Sequence, residues 1–288
     1  MKFLHGAKEI ANSFLRMGNV RIETLTAERA EMSRLRKLVE RGHFERPIFP
    51  ILSQFAECDP SRILQQIKTD ETRFAAILEN SEPDGFNLDN EYYTTPDAEV
   101  LYSIVQLYRP RHIVEIGSGH STKLFRYAIR DAQLETHLIS IDPEPRQDIS
   151  KWTDQVIRMR AEDASSFDIV ERLGKNDILF IDSSHSVEIG NDVVWLFLNV
   201  FPLLRKGVFI HLHDIFLPFE YPAEWIVANR WKWNEQYFVQ ALLQGSNEFE
   251  VIWPGHYLQR TMPNFTSHFP NWKSSSRAGS LWLRKSRT

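Results

Sequence analysis

Cysteine is almost missing from this sequence: Cys58 stands alone among 288 residues. One thiol closes no intramolecular disulfide and builds no thiolate cage around a metal. A disulfide-stapled scaffold is therefore excluded, and a reducing compartment fits. Positive charge is also in short supply. Lys and Arg total 34 against 38 Asp and Glu, a formal net charge of −4. No basic face is implied, so nucleic acid is not expected as a partner. No stretch approaches the roughly 20 apolar residues that span a bilayer. The opening MKFLHGAKEIANSFLRMG has no apolar run of the secretory kind. Internal repeats and low-complexity tracts are lacking too. These absences lead to the expectation of a cytoplasmic protein without a transmembrane segment.

What is present is ordinary for a globular chain, 42% hydrophobic and 25% charged, and long enough for one large α/β domain with an appendage. Residues 1–90 read as a helical N-terminal extension, a cap over the site or a means of homo-oligomerisation. AERAEMSRLRKLVERG (27–42) puts Met32, Leu35, Leu38 and Val39 at helical spacing, with Gly42 as the stop. DPSRILQQIKTDETRFAAILEN (59–80) carries Ile63, Leu64, Ile67, Phe74, Ile77 and Leu78 on one stripe, read as packing core. SEPDGFNLDN (81–90) has the composition of a connector.

Beyond it the pattern changes. After a helix over 95–110, short apolar runs alternate with helical segments. The runs are HIVEIG (112–117), HLISID (137–142), QVIRMRA (155–161), DILFID (177–182) and GVFIHLHD (207–214). STKLFRYAIRDA, PEPRQDISKWT, SSFDIVERLG and GNDVVWLFLNVFPLLRKG lie between them. Strands without a polar face, joined by helices, predict a doubly wound, mostly parallel, Rossmann-like sheet over residues 91–288. FEVIW (249–253) and SLWLRK (280–285) supply further strands at the far edge.

EIGSGHST (115–122) joins the first strand to its helix. Gly117 and Gly119 permit a tight turn and close approach of a ligand; Ser121 and Thr122 are placed to cap the helix. A dinucleotide fingerprint would put a third glycine where Thr122 stands. Glu115 lies inside the apolar strand, a costly place for a carboxylate unless backbone amides or a ligand cation satisfy it. Asp142 ends the second strand, the place from which an acid grips the two hydroxyls of a ribose. An added acid before the turn repels a pyrophosphate. A nucleoside with a positive charge and no phosphate suits the turn better, and S-adenosylmethionine has those features.

VEIGSGHST, then SIDPEP, then AEDA (161–164), together resemble the class I S-adenosylmethionine-dependent methyltransferases. The resemblance spans about residues 91–288 and includes the order of the motifs. It implies that Glu115, Gly117, Ser118 and Gly119, with Ser121, cradle the amino-acid end of the cofactor. It further implies that Asp142 holds the ribose and that Asp163, with Glu162 beside it, reaches the adenine amine.

FIDSSHS (180–186) and HLHDIF (211–216) close the fourth and fifth strands. Ligands of open α/β sheets bind at such ends, so Asp182, His185, His213 and Asp214 are expected to converge on the cleft, Asp182 also touching the cofactor. Transfer of a methyl group to a hydroxyl needs an aligned nucleophile and a proton acceptor. His185 is the expected general base. Asp182, His213 and Asp214 are candidate ligands of a divalent metal, which would acidify a bound hydroxyl. The residues leave open whether they bind a metal or only satisfy backbone groups. The D-x-x-H element and the polar pair of the next strand are similar to a branch containing metal-dependent sugar and natural-product O-methyltransferases and cephalosporin hydroxylase-like proteins. That branch places two acids where this chain has His213 and Asp214. The imidazole departs from a magnesium set and suits manganese, iron or zinc better. His211, one pleat deeper, is read as structural.

FLPFEYPAEW (216–225) is expected to wall the site, Trp231, Trp233, Tyr237 and Phe238 either to stack on a substrate or to fill core, and the segment 256–279 to form a substrate loop or dimer contact. Tyr93 is placed over the cofactor. The resulting expectation is methyl transfer to a hydroxyl of a small molecule or sugar. The alternatives are a metal-dependent hydroxylase-like enzyme and a non-catalytic cofactor-binding partner protein.

Overall fold

Each expected strand is found, and the central ones are buried on both sides because helices cover both faces of one sheet. The computed structural model describes residues 8, 11–21 and 23–287. They group into two compact units: residues up to Arg46 with Pro222–Trp231, and Pro47–Tyr221 with the residues from Lys232 onward. In the smaller unit, α1 (Thr26–Glu40) buries Leu35. Met32 and Leu38 are half-buried, whereas Val39, expected on the same stripe, is exposed. Glu28 pairs with Arg230, and the Trp225 and Trp231 rings pack with centroids 5.2 Å apart.

The larger unit holds β1 (His112–Ile116), β2 (His137–Ile141), β3 (Gln155–Ile157), β4 (Ile178–Ile181), β5 (Phe209–Leu212), β6 (Phe249–Pro254) and β7 (Leu281–Lys285). Their order is β3-β2-β1-β4-β5-β7-β6. The first five pair in parallel, and β7 runs antiparallel to β5 and β6. One core gathers α2 (Ser61–Asn80), α3 (Asp97–Tyr108) and α4 (His120–Asp131) with Ile113, Phe180 and Phe209 of the sheet. The other gathers α5 (Ser166–Arg172), α6 (Asp192–Trp195) and α7 (Glu235–Gly245) with Val114, Leu179 and Ile210. Neighbouring strand residues thus point into opposite cores, as the two-residue period of a strand requires.

The chain departs from the expected element pattern in a few places. Residues 47–90 lie in the larger unit, and α2 buries Ile63, Ile67 and Phe74 in the same core as α3. A division near residue 90 would cut through that core. PEPRQDISKWT forms no helix. Pro143 and Pro145 lack the amide proton a helix needs, and Asp142 and Asp148 instead accept from the amides two residues on, Glu144 at 2.8 Å and Ser150 at 2.9 Å. β3 ends at Ile157 rather than Ala161. The segment after β6 folds into α8 (Gly255–Thr261) and a short 3₁₀ turn, with Leu258, Phe265 and Phe269 buried in the α3 core. Cys58 donates its thiol hydrogen to the Ile252 carbonyl of β6 at 3.4 Å. Burial, with Asp59 and Glu250 nearby, pushes that thiol up to about 12.

The register matters most for function. Ile116 stands opposite Ile141 and Ile181, and Ile181 opposite Leu212. The ladder runs one residue further: Gly117 donates to Ile141, Asp182 to Ile116 and His213 to Ile181. Asp142, Gly117, Asp182 and His213 therefore stand level at the carboxyl edge. This is where the strand order reverses around β1, the position at which open α/β sheets bind ligands.

Candidate active site

The turn after β1 is built around Gly117, whose φ is +80°. A Cβ there would lie 2.0 Å from the Asp182 carbonyl oxygen, so only glycine lets β1 and β4 close up at the edge. Gly119 differs: a Cβ on it would meet nothing within 4 Å. The space over that backbone is open, as a ligand cradle requires. Ser118 donates to Asp142 Oδ2 from both its amide, at 2.9 Å, and its hydroxyl, at 2.7 Å. Asp142 is thereby turned toward the turn rather than outward.

Glu115 is fully buried, and its protein partners are side-chain hydroxyls. Three donate to it: Ser121 at 2.6 Å, Thr122 at 2.6 Å and Ser140 at 2.9 Å. Burial pushes its carboxyl up to about 7 against the pull of those three donors. Thr122 also accepts the Gly119 amide at 3.0 Å. A threonine at the third fingerprint position thus has a reason here: its hydroxyl ties the turn to Glu115. Glu115, Ser121 and Thr122 brace the turn from behind, leaving Gly117, Ser118 and Gly119 as its half-exposed outer side. After β3, Glu162 is largely covered, its side chain 15% exposed and 3.5 Å from Arg160, while Asp163 is exposed. Of this expected pair, Glu162 is the one turned inward.

At the ends of β4 and β5 the expected group comes together. His185 Nε2 lies 3.3 Å from Asp182 Oδ1 and 3.9 Å from Asp214 Oδ2. His213 Nδ1 lies 3.5 Å from each of the same two oxygens. Asp182, His185 and Asp214 each offer a donor atom within 4.8 Å of the others. A four-coordinate sphere with bonds of about 2.1 Å has donor-to-donor edges of about 3.4 Å, so the spacing suits a divalent cation. His213, expected in the metal set, reaches both acid oxygens, and His185, expected as the base, belongs to the set as well. The imidazoles are buried while the side chains of Asp182 and Asp214 stay 29% and 15% exposed. His185 and Asp214 both sit in the left-handed region, at φ 55° and 54°, which places them side by side on two sharp bends.

Electrostatics follow the geometry. Burial alone would drive the proton off His185. Hydrogen bonds to Asp182 and Glu235, with the charges of Glu235 and Asp214, instead raise it to about 10. Burial likewise disfavours charge on His213, but Asp214 and Asp182 hold its pKa well above the usual imidazole range. Burial opposes ionisation of Asp182, and the two imidazoles outweigh it, keeping that carboxyl well below its ordinary value. His211 behaves as a core residue. Its ring stacks on Phe180 at 3.9 Å and Nε2 meets the Ser280 hydroxyl at 2.9 Å. Burial and the neighbouring His213 depress its pKa.

Residues 114–215 match the profile of a family described as a methyltransferase domain. Over that stretch the chain is similar to methyltransferase domains. The sheet order 3-2-1-4-5-7-6 and the turn after β1 give the chain the Rossmann-like fold expected from its sequence. No curated protein matches the chain. Similar solved structures include the SAH-bound methyltransferase PaMTH1 of Podospora anserina, at 16% identity, with 92% of this chain and 99% of that chain covered and a TM-score of 0.42. A putative O-methyltransferase from Klebsiella pneumoniae is 11% identical, covering 80% and 93%, with a TM-score of 0.40. A putative methyltransferase from Thermobifida fusca is 12% identical, covering 84% and 100%, with a TM-score of 0.43.

Around this site, some expectations shift. Phe216, Leu217, Phe219 and Tyr221 are buried, so the apolar loop after β5 is core rather than an open wall. Tyr93 is buried as well, its ring 5.1 Å from that of His213, beneath the cluster rather than over a cofactor. Of the later aromatics, Trp233 is the one at the site, its ring 4.3 Å from His185. Sequence reading missed Glu235 and Asp97, the carboxylates behind the two imidazoles. Their one signal is an acid at the first turn of a helix with an apolar face, which is also what an ordinary exposed helix start looks like.

Proposed function

We propose that this protein transfers the methyl group of S-adenosylmethionine to a hydroxyl of a small molecule or sugar. The observation that supports it is the level row of Gly117, Asp142 and Asp182 with the imidazole–carboxylate cluster beside it. In this reading the backbone of Gly117–Gly119 receives the amino-acid end of the cofactor. Asp142, already oriented by Ser118, receives the ribose hydroxyls, and Glu162 lies toward the adenine. The acceptor oxygen attacks the methyl carbon as the carbon–sulfur bond breaks, leaving a thioether, and the hydroxyl proton passes to the carboxylate of Asp214 at the opening.

The residues at the ends of β4 and β5 fit a divalent metal held by Asp182, His185 and Asp214, with His213 against the two acids. When bound there it would lower the pKa of a hydroxyl it touches. His185 has both ring nitrogens on carboxylates, so it holds a position rather than accepting the substrate proton. Asp182 and Asp214, with oxygens toward the opening, orient the acceptor, and the buried imidazoles fix their direction.

Calorimetry with S-adenosylhomocysteine tests the cofactor half of the reading. Binding in wild type and at least about tenfold weaker binding in Asp142→Ala are expected, since a lost charge-assisted hydrogen bond costs about 1.5 to 3 kcal/mol. No binding to wild type, or a phosphorylated nucleotide preferred at Gly117–Gly119, would overturn it. Transfer of labelled methyl to hydroxyl compounds, compared with amine and thiol analogues, tests the acceptor half.

A further inference from the structure

Two buried carboxylates behind the cluster remain unexplained by methyl transfer. Glu235, at the start of α7, is fully buried; Oε2 lies 3.1 Å from His185 Nδ1, and Oε1 has no hydrogen-bond partner. Burying an acid at this cost needs a compensating use. The same bend clamps the main chain of His185, whose carbonyl accepts the amides of Asn234 at 2.9 Å and Glu235 at 3.1 Å. On the other side, Asp97 at the start of α3 is fixed by the amides of Gly279 at 2.8 Å and Ser280 at 3.1 Å. Its Oδ2 lies 3.6 Å from His213 Nε2.

Each imidazole therefore has one nitrogen turned to an outer carboxylate and the other to Asp182 and Asp214. A carboxylate on the far nitrogen of a metal-binding histidine fixes the tautomer, aims the ring and makes the near nitrogen a better donor. We propose that Glu235 orients His185 as a cation ligand beside Asp182 and Asp214, with Asp97 fixing the neighbouring His213 ring, and that the imidazole donor makes the site select a transition-metal divalent cation over magnesium. This rests on the metal-assisted reading above and adds to it the positioning residues and the class of cation. Magnesium favours oxygen ligands and retains its waters; nitrogen donors shift preference toward manganese, iron, cobalt and zinc.

The experiment uses the full chain, stripped with chelator and titrated with Co²⁺ while the visible d–d absorption is recorded. One Co²⁺ per chain is expected, displaced by Zn²⁺ but not by millimolar Mg²⁺. Glu235→Gln keeps the side-chain shape and should weaken Co²⁺ binding about 10- to 100-fold and alter the band. Its circular dichroism and its affinity for S-adenosylhomocysteine should stay within twofold of wild type. Failure of wild type to take up Co²⁺, displacement by Mg²⁺ as readily as by Zn²⁺, or wild-type Co²⁺ affinity in a folded Glu235→Gln variant would each overturn the proposal. Should that variant misfold, the wild-type competition with Mg²⁺ decides alone. Calorimetry with S-adenosylhomocysteine on the same samples separates the two readings. Cofactor binding without cation uptake sinks only this proposal, whereas loss of cofactor binding in wild type sinks the function on which it rests.

Discussion

Glu115 shows how far one residue can be read before its neighbours are known. Its place inside an apolar strand marked it as costly; that hydroxyls from α4 and β2 would share it depended on the register that brings Ser140 alongside. The same cage gives it a measurable signature. Its carboxyl is raised from 4.5 to about 7 by burial. A group raised on folding contributes stability that is present below the unfolded value and lost as pH climbs through the folded one. At about 1.36 kcal/mol per pKa unit, the loss between pH 4.5 and pH 7 is up to about 3 kcal/mol. Urea unfolding between pH 5 and pH 8 should therefore show wild type losing more stability than Glu115→Gln, which has no proton to lose. Parallel curves for the two proteins would remove the buried ionisation from the account.

The strand–turn–helix from β1 to α4 is the element whose identity was clearest in sequence, because its glycines serve two separate needs. Gly117 answers a backbone constraint and Gly119 an open space. Substitution should separate the two. Gly117→Ala forces a side chain against the Asp182 carbonyl with φ at +80°, at a cost of about 3 kcal/mol or more from strain and overpacking together. Gly119→Ala meets no atom within 4 Å, so it should cost much less stability and instead lower affinity for S-adenosylhomocysteine. Urea midpoints beside calorimetry on both variants check this; equal destabilisation would show that the second glycine serves packing. The crossover from β2 to β3 was the least legible element. Its place between two apolar runs suggested a helix, and two prolines with two aspartate turns overrode it. The second half of the site was legible only as strand ends. Asp182, His185, His213 and Asp214 follow strands, so their convergence could be read, but Glu235 and Asp97 arrive from α7 and α3, whose packing angles are tertiary facts.

Across the whole molecule, the sheet and its covering helices were readable because parallel strands buried on both faces carry an unmistakable apolar pattern. The edges of the compact units were not. Residues 47–90 have connector composition at one end and helical periodicity at the other, and neither says which core α2 joins. Cys58 lies in that stretch, its sulfur against the β6 carbonyl of Ile252. A thiol pushed up to about 12 carries about a thousandth of the thiolate of an ordinary cysteine near pH 8. A maleimide or disulfide reagent should therefore modify the native chain slowly and the urea-unfolded chain about a thousandfold faster, as followed by mass spectrometry. Because the chain has a single thiol, every adduct would mark the same event, the detachment of residue 58 from the sheet edge. The protein carries its own unfolding clock, one that needs no engineered label.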